Sequence, residues 1–305
     1  MSNVIEDYFE KQLKKQKRGG LNLPAMARKA TEFMDCITSD LGMLFVSEDV
    51  VALEPSITAE MSKDPMYQYA TLTGIGQKPY YKGDVLMIDD IYLMSASQFP
   101  PTKNKMKEIF DTATFEGKSF AEQWLADSEV CKDYCKKPVR NFAKTACLGI
   151  GYGMGWKKFK REAEDNGTVL TPAEAKGTID AYWTLFQGLK RLRDSLSWTV
   201  KKTGSIENQF GYRNTPEAHK AMNAYIQSSA SGVLDVYTYK LFQMAPYLKF
   251  VTLVHDEVIY QCPENMLDQL KIDSEIAVKS LNNDLGWSVP IRFGTKTAKS
   301  FAGVK

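Results

Sequence analysis

Apolar positions in this chain recur with two periods, and the changes between them mark out the expected elements. Residues 4 to 16 (VIEDYFEKQLKKQ) carry apolar groups at helical spacing, run into the basic stretch Lys14-Lys15-Gln16-Lys17-Arg18, and stop at Gly19-Gly20. GMLFVSED (42 to 49) is a short apolar run ending in acids, which suits a buried strand with carboxylates at its C-terminal tip. Residues 55 to 135 read as several short helices broken by loops. Lys136-Lys137-Pro138 sets up a helix that continues through VRNFAKTACLGI to Gly149, because proline is tolerated in a first turn. Thr171-Pro172-Ala173-Glu174 is a capping box with proline at the first helical position. It predicts one long helix to about Lys202, stopped by Gly204. A further helix is expected over 216 to 245 and another over 264 to 283. Between them KFVTLVHDEVIYQC (249 to 262) reads as a hairpin turning at His255-Asp256-Glu257, and VPIRF (289 to 293) reads as a last strand. Few, separated strands among many helices give an α+β fold rather than alternating β-α-β units.

Composition narrows this little. The 305 residues are 44% hydrophobic and 25% charged, ordinary for a globular chain, and 39 Lys plus Arg against 37 Asp plus Glu neither require nor exclude nucleic acid. Five cysteines without a CxxC pair and two histidines make a zinc cluster implausible and predict reduced thiols. No apolar run approaches the ~20 residues of a membrane span, and the N-terminus lacks a signal-peptide pattern, so no membrane association and a cytoplasmic location are expected.

GIGYGMG (149 to 155) invites comparison with a phosphate-cradling glycine loop. Its glycines alternate and no strand precedes them, whereas a dinucleotide fingerprint needs GxGxxG between a strand and a helix. Just upstream, Arg140, Lys144, Leu148 and Tyr152 recur every four residues and form one stripe of a helix: two cations, an apolar position, then an aromatic. Such a stripe suits a triphosphate lying along its basic half with base and sugar beyond, and equally suits a solvated basic edge. Asp49 after LFVSE, and Asp256 with Glu257 after TLVH, are two acid-bearing strand ends. Paired, such aspartates can hold two magnesium ions for in-line phosphoryl displacement; singly, each is an ordinary turn residue.

Together these motifs resemble family A (polymerase I type) DNA polymerases. Asp49-Val-Val-Ala-Leu-Glu54 is similar to the family's motif A, Arg140-x3-Lys144-x7-Tyr152-Gly153 to motif B, Val254-His255-Asp256-Glu257 to motif C, and Asn223-x3-Gln227 to the helix that reads the primer-template minor groove. His219 and the C-terminal FGTKTAKSFAGVK resemble the phage branch. The resemblance implies the following assignments. Asp49 and Asp256, with the Val50 carbonyl, hold two Mg2+ ions, and Glu257 supports the site. Arg140 and Lys144 bind the dNTP triphosphate, with Lys144 also a general acid. Leu148, Tyr152 and Tyr92 complete the dNTP site, where Glu54 gates the ribose 2′-OH. Asn223, Gln227, His219, His255 and Arg213 contact primer-template DNA.

Three positions depart from the family's pattern. Leu148 stands where an aromatic is usual, Tyr92 where a phosphate-binding His is usual, and Pro55-Ser56 where Leu-Arg is usual. Palm is expected over 1 to 64 and 241 to 305, and fingers over 65 to 240. Motif A begins 48 residues in, preceded only by Asn22-Leu23-Pro24 as a counterpart of the family's NLQNIP segment, with Lys15 or Arg18 before it. A second polypeptide supplying thumb and exonuclease is therefore expected, in a split polymerase of a phage in its host's cytoplasm. The alternatives are a single-subunit RNA polymerase fragment, against which Glu54 and Glu257 speak, and a non-catalytic DNA-binding replication subunit.

Overall fold

The computed structural model of the chain describes residues 34 to 254 and 256 to 304. The helix expected over 4 to 16, the basic run with Lys15 and Arg18, the Gly19-Gly20 stop, Asn22-Leu23-Pro24 and His255 lie outside the described residues. The elements used below are the strands β1 (Met43–Val50), β2 (Lys249–Val254), β3 (Glu257–Pro263) and β4 (Phe293–Ala298), and seven helices. These are α1 (Leu53–Ser62), α2 (Ile91–Ala96), α3 (Asn141–Gly151), α4 (Pro172–Leu185), α5 (Gln187–Thr203), α6 (Ala221–Met244) and α7 (Leu267–Leu285). The fold is α+β, and the chain divides into two compact units, residues up to Leu53 with Ala230–Lys305, and Glu54–Ser229.

The first unit is built on one antiparallel sheet in the order β4-β1-β3-β2. β1 opens with four apolar residues, Met43 to Val46, and is central, with β3 and β4 on its two sides. The expected hairpin forms between β2 and β3, with a bulge between Phe250 and Thr252. Met34, Phe45, Val254, Ile259, Phe301 and Val304 make its core, and Phe45 meets Phe301 edge to face at 5.8 Å. VPIRF is not a strand. The last strand starts at Phe293, because Val289 and Ile291 are plugged into the core and Pro290 has no N–H for a ladder. The Asn282 side chain, on α7, instead accepts from the Ile291 N–H (2.7 Å) and donates to its carbonyl (2.9 Å).

In the second unit the helices gather around α3, whose Phe142, Ala143, Ala146, Cys147, Ile150 and Gly151 are buried. Phe142 bridges Phe99 (6.3 Å) and Phe159 (5.7 Å). α3 does not start at Lys136-Lys137-Pro138. Helical backbone already runs through Ser128–Cys135, capped by the Asp127 side chain on Glu129 N (3.0 Å), and a π turn over Lys136–Arg140 joins it to α3. Proline has no amide to give an α ladder, and the wider turn absorbs the defect, with the Asn141 N–H reaching the Lys136 carbonyl.

The long helix expected after Thr171 is two. The capping box forms, but α4 ends at Leu185 and α5 begins at Gln187, with Phe186 at φ −112, ψ 67 and its ring fully buried between Tyr67 (5.2 Å) and Tyr182 (5.1 Å). The break is fixed by Asp64. One of its oxygens caps the short helix Pro65–Gln68, and the other accepts from the Gly188 N–H at 2.5 Å. A Cβ on Gly188 would lie 2.8 Å from the Asp64 Cα, so only glycine admits this approach.

Candidate active site

In the first unit the sheet brings the acid-bearing strand ends together. Asp49, the penultimate residue of β1, is the register partner of Glu257, the first residue of β3, and the Val50 N–H donates to the Asp256 carbonyl at 3.0 Å. Asp49 and Asp256 are exposed; Glu257 is half-buried and accepts a hydrogen bond from the Ser47 hydroxyl. Strand alternation separates the two acids of the Ser-Glu-Asp triplet. Glu48 is fully buried on the other face, where the Ser274 hydroxyl donates to it at 2.6 Å and the Tyr237 hydroxyl donates as well. Burial, with Glu48 alongside, drives the Tyr237 and Tyr260 hydroxyls far above their ordinary pKa, so both stay neutral. Of the pair, only Asp49 is exposed.

Among the described residues no group of three or more His, Cys, Asp or Glu side chains is arranged to hold a metal ion. Two neighbouring carboxylates are nevertheless the donor set that suits Mg2+, which takes one or two carboxylates and completes its shell with phosphate and water oxygens.

In the second unit, the cation stripe is present but its two members differ. Arg140 Nη2 and Nε reach one Asp90 oxygen at 2.8 and 3.0 Å, and its guanidinium lies over the Tyr92 ring at 5.1 Å. Asp90 is 5% exposed, and its other oxygen caps α2 by accepting from the Tyr92 and Leu93 amides, both at 2.9 Å. Lys144 is exposed, stands 6.0 Å from the Tyr92 ring centroid, and has no carboxylate partner among the described residues. Burial, reinforced by Cys147 and Asp90, pushes the Tyr92 hydroxyl up to about 12, so the phenol is neutral and able to donate. Asp90 is a site residue that the sequence motifs do not single out. Its signal is an Asp preceding an apolar helix start, which reveals the cap but not the ion pair.

Glu54, Tyr92, Leu148 and Tyr152 line one small cavity of about 40 Å³, floored by Tyr67, Cys147 and Tyr182. Burial raises the pKa of Tyr67 and Tyr182, and takes the Cys147 thiol to about 12. The floor is therefore uncharged. GIGYGMG ends α3 rather than cradling phosphate. Tyr152 is the C-cap, and Gly153 follows at φ +86.

A Cβ on Gly153 would fall 2.5 Å from the His219 carbonyl oxygen, so α3 ends hard against the turn that leads into α6. His219 itself is 61% exposed, with Nε2 3.6 Å from Glu217. Asn223 and Gln227 are one turn apart on α6. Gln227 is exposed, and the Asn223 Oδ1 is buried with no hydrogen-bond partner. Arg213 is exposed and donates from Nε to Ser205 at 3.0 Å.

The sequence profile of DNA polymerase family A matches residues 118 to 303, more than half of the chain. The chain belongs to that family. Motif B, the α6 pair and motif C lie inside the matched span, while Asp49 and Glu54 lie outside it. The chain is 29% identical over 182 residues to the DNA polymerase of Escherichia phage T5, covering 50% of this chain and 21% of that protein. It is 25% identical over 185 residues to DNA polymerase I of Helicobacter pylori (56% and 20%), and 26% identical over 184 residues to DNA polymerase theta of Caenorhabditis elegans (54% and 11%). It thus spans between 11% and 21% of these relatives' length. Among solved structures, the POL domain of Pol1 from M. smegmatis, in complex with DNA primer-template and dNTP, superposes with a TM-score of 0.68. That match has 18% identity and covers 93% of this chain and 44% of that one, so the two share a fold. Among the described residues no helix is long and apolar enough to cross a membrane.

Proposed function

We propose that this chain carries out template-directed DNA synthesis, transferring a nucleotidyl group from a dNTP to a primer 3′-hydroxyl. The observation that carries the reading is the pairing of Asp49 with Glu257, and of Val50 with Asp256, at one end of β1 and β3. Motif A and motif C, about 200 residues apart in the chain, meet there. The unit with the sheet would be the palm and the helical unit the fingers, moving the expected boundaries near 64 and 240 to 53/54 and 229/230.

In this reading Asp49 and Asp256, with the Val50 carbonyl, would hold two Mg2+ ions, which supply charge neutralisation and orientation of the phosphate when bound. Glu257, held by Ser47, would support the primer terminus. Lys144, unneutralised by a carboxylate, would carry most of the triphosphate's charge and give a proton to the departing pyrophosphate; Arg140, shared with Asp90, would contribute less. Tyr92 would add one neutral hydrogen bond. Tyr152 would pack beneath the nascent base pair, Leu148 against the sugar, and Glu54 in the same cavity would exclude a ribose 2′-OH. Asn223 and Gln227 would read minor-groove acceptors, which are nearly alike in all correct pairs and so report shape. His219, His255 and Arg213 would touch the duplex.

Primer extension by Asp256→Ala tests the core of this. Losing several kcal/mol of charge stabilisation predicts a rate lower by on the order of a thousandfold. An unchanged rate sinks the assignment. The phage-branch reading rests on His219 and the C-terminal segment. The proposal that a second polypeptide supplies thumb and exonuclease is tested by co-purification from the native source: recovery of the active protein without a companion chain would refute it.

A further inference from the structure

Beside the cation stripe, the second unit holds another cavity, of about 450 Å³, within the usual range of ligand pockets (~300–1,000 Å³). Lys137, Asn141, Lys144 and Thr145 enter it from the π turn and α3, and Thr168 from the segment after helix Trp156–Asp165. None of these five side chains has a hydrogen-bond or ion-pair partner among the described residues, and no Asp or Glu lines the cavity. Of the acids on the neighbouring elements, Asp133 pairs with Lys136, Glu162 with Lys158 and Glu164 with Lys160, while the exposed Asp165 is not among the lining residues. The lining itself therefore presents two lysines, no acid and a ring of neutral donors.

The spacing selects the ligand. Lys137 and Lys144 are seven residues apart, so their Cα atoms are separated by about 10 Å along the helix. That suits an elongated anion with two charged centres better than a single phosphate or sulfate. Of the two, Lys144 belongs to the triphosphate site proposed above, whereas Lys137 has no place there.

We infer that this cavity binds a condensed phosphate, with pyrophosphate as its ligand, and receives it on the product side of Lys144. The identity of pyrophosphate as the working anion rests on the polymerase reading; the cavity's affinity for it does not.

The test is calorimetric titration of sodium pyrophosphate into the purified chain, without DNA or dNTP, for the unaltered protein, Lys137→Gln and Thr168→Glu. Lys137 is exposed and Thr168 is half-buried, and circular dichroism confirms that each variant is folded. Losing one exposed charge-assisted contact predicts affinity about tenfold weaker for Lys137→Gln. An acid placed in the cavity by Thr168→Glu predicts loss of measurable binding. In primer extension, Lys137→Gln keeps its forward rate and becomes about tenfold less sensitive to inhibition by pyrophosphate. Equal affinity in all three proteins would place pyrophosphate on Arg140 and Lys144 alone and overturn the inference, as would no binding by the unaltered chain. Binding that follows the predicted pattern, while Asp256→Ala leaves primer extension by the natively purified protein unchanged, would uphold the cavity and refute the polymerase reading.

Discussion

Replacing Gly153 by alanine should destabilise the chain by about 2 to 5 kcal/mol, although it adds only one methyl group. Two terms make up that figure. Gly153 sits at φ +86, and holding an L-residue in left-handed backbone costs about 1 to 2 kcal/mol. The new Cβ would also lie 2.5 Å from the His219 carbonyl oxygen, a backbone atom that cannot rotate away, and such crowding costs about 1 to 3 kcal/mol. Gly155, two residues on, is the internal control. It caps the next helix at φ −78, ψ 158, and its Cβ would meet nothing within 4 Å. There the poorer cap offered by alanine and the lower entropy of its unfolded chain oppose each other, leaving a net change within about 0.5 kcal/mol. Urea unfolding followed by circular dichroism measures both variants. If Gly153→Ala falls within about 0.5 kcal/mol of the unaltered protein, or Gly155→Ala proves the more damaging, α3 does not end against His219 and the reasoning fails.

Asp90→Asn keeps the cap on α2 but removes the charge beneath Arg140, itself 23% exposed. A loss of about 1 to 3 kcal/mol is expected in urea unfolding, below the roughly 3 to 5 kcal/mol of a fully buried pair because the guanidinium is partly solvated. The thiols give a second check. Burial lifts Cys131 and Cys262 to about 11 and Cys135 and Cys147 to about 12, leaving about 0.1% thiolate or less at pH 8, while Cys36 is exposed. A chromogenic disulfide should therefore titrate one fast thiol in the native chain and five after denaturation; a second fast equivalent would contradict the burial. At high pH, burial holds Tyr81 and Tyr92 up at about 12, against 10 when unfolded. A folded pKa above the unfolded one adds stability below pH 10 that drains away as pH rises towards 12. The urea midpoint should fall across that window, and a native chain whose fifteen tyrosines all ionise together near pH 10 in absorbance at 295 nm would refute it.

What could be read from the sequence was what neighbours along the chain decide. The β2–β3 hairpin formed because alternation and turn residues are local, and the capping box at Thr171 closed as written, since all its atoms lie within four residues. The helix break at Phe186 could not be read, because it is made by Asp64, 124 residues before Gly188. VPIRF misled for a related reason: an apolar run reads alike whether it pairs in a sheet or plugs a core, and Asn282 decides between the two.

The same limit governs the site. Arg140 and Lys144 are equivalent in spacing, yet Asp90, 50 residues upstream of Arg140, neutralises one and leaves the other bare. A helix stripe reports which side chains share a face; the electrostatics of that face are settled by whatever packs against it. Buried acids such as Asp90 and Glu48 spend their charge holding structure, whereas Asp49, Asp256 and Lys144 stand exposed. For a phosphate chain arriving with several negative charges, the division matters more than the count of cations. Removing Lys144 takes away charge that nothing else offsets, while removing Arg140 also leaves Asp90 buried without its counter-ion, so its loss must appear in stability as well as in binding.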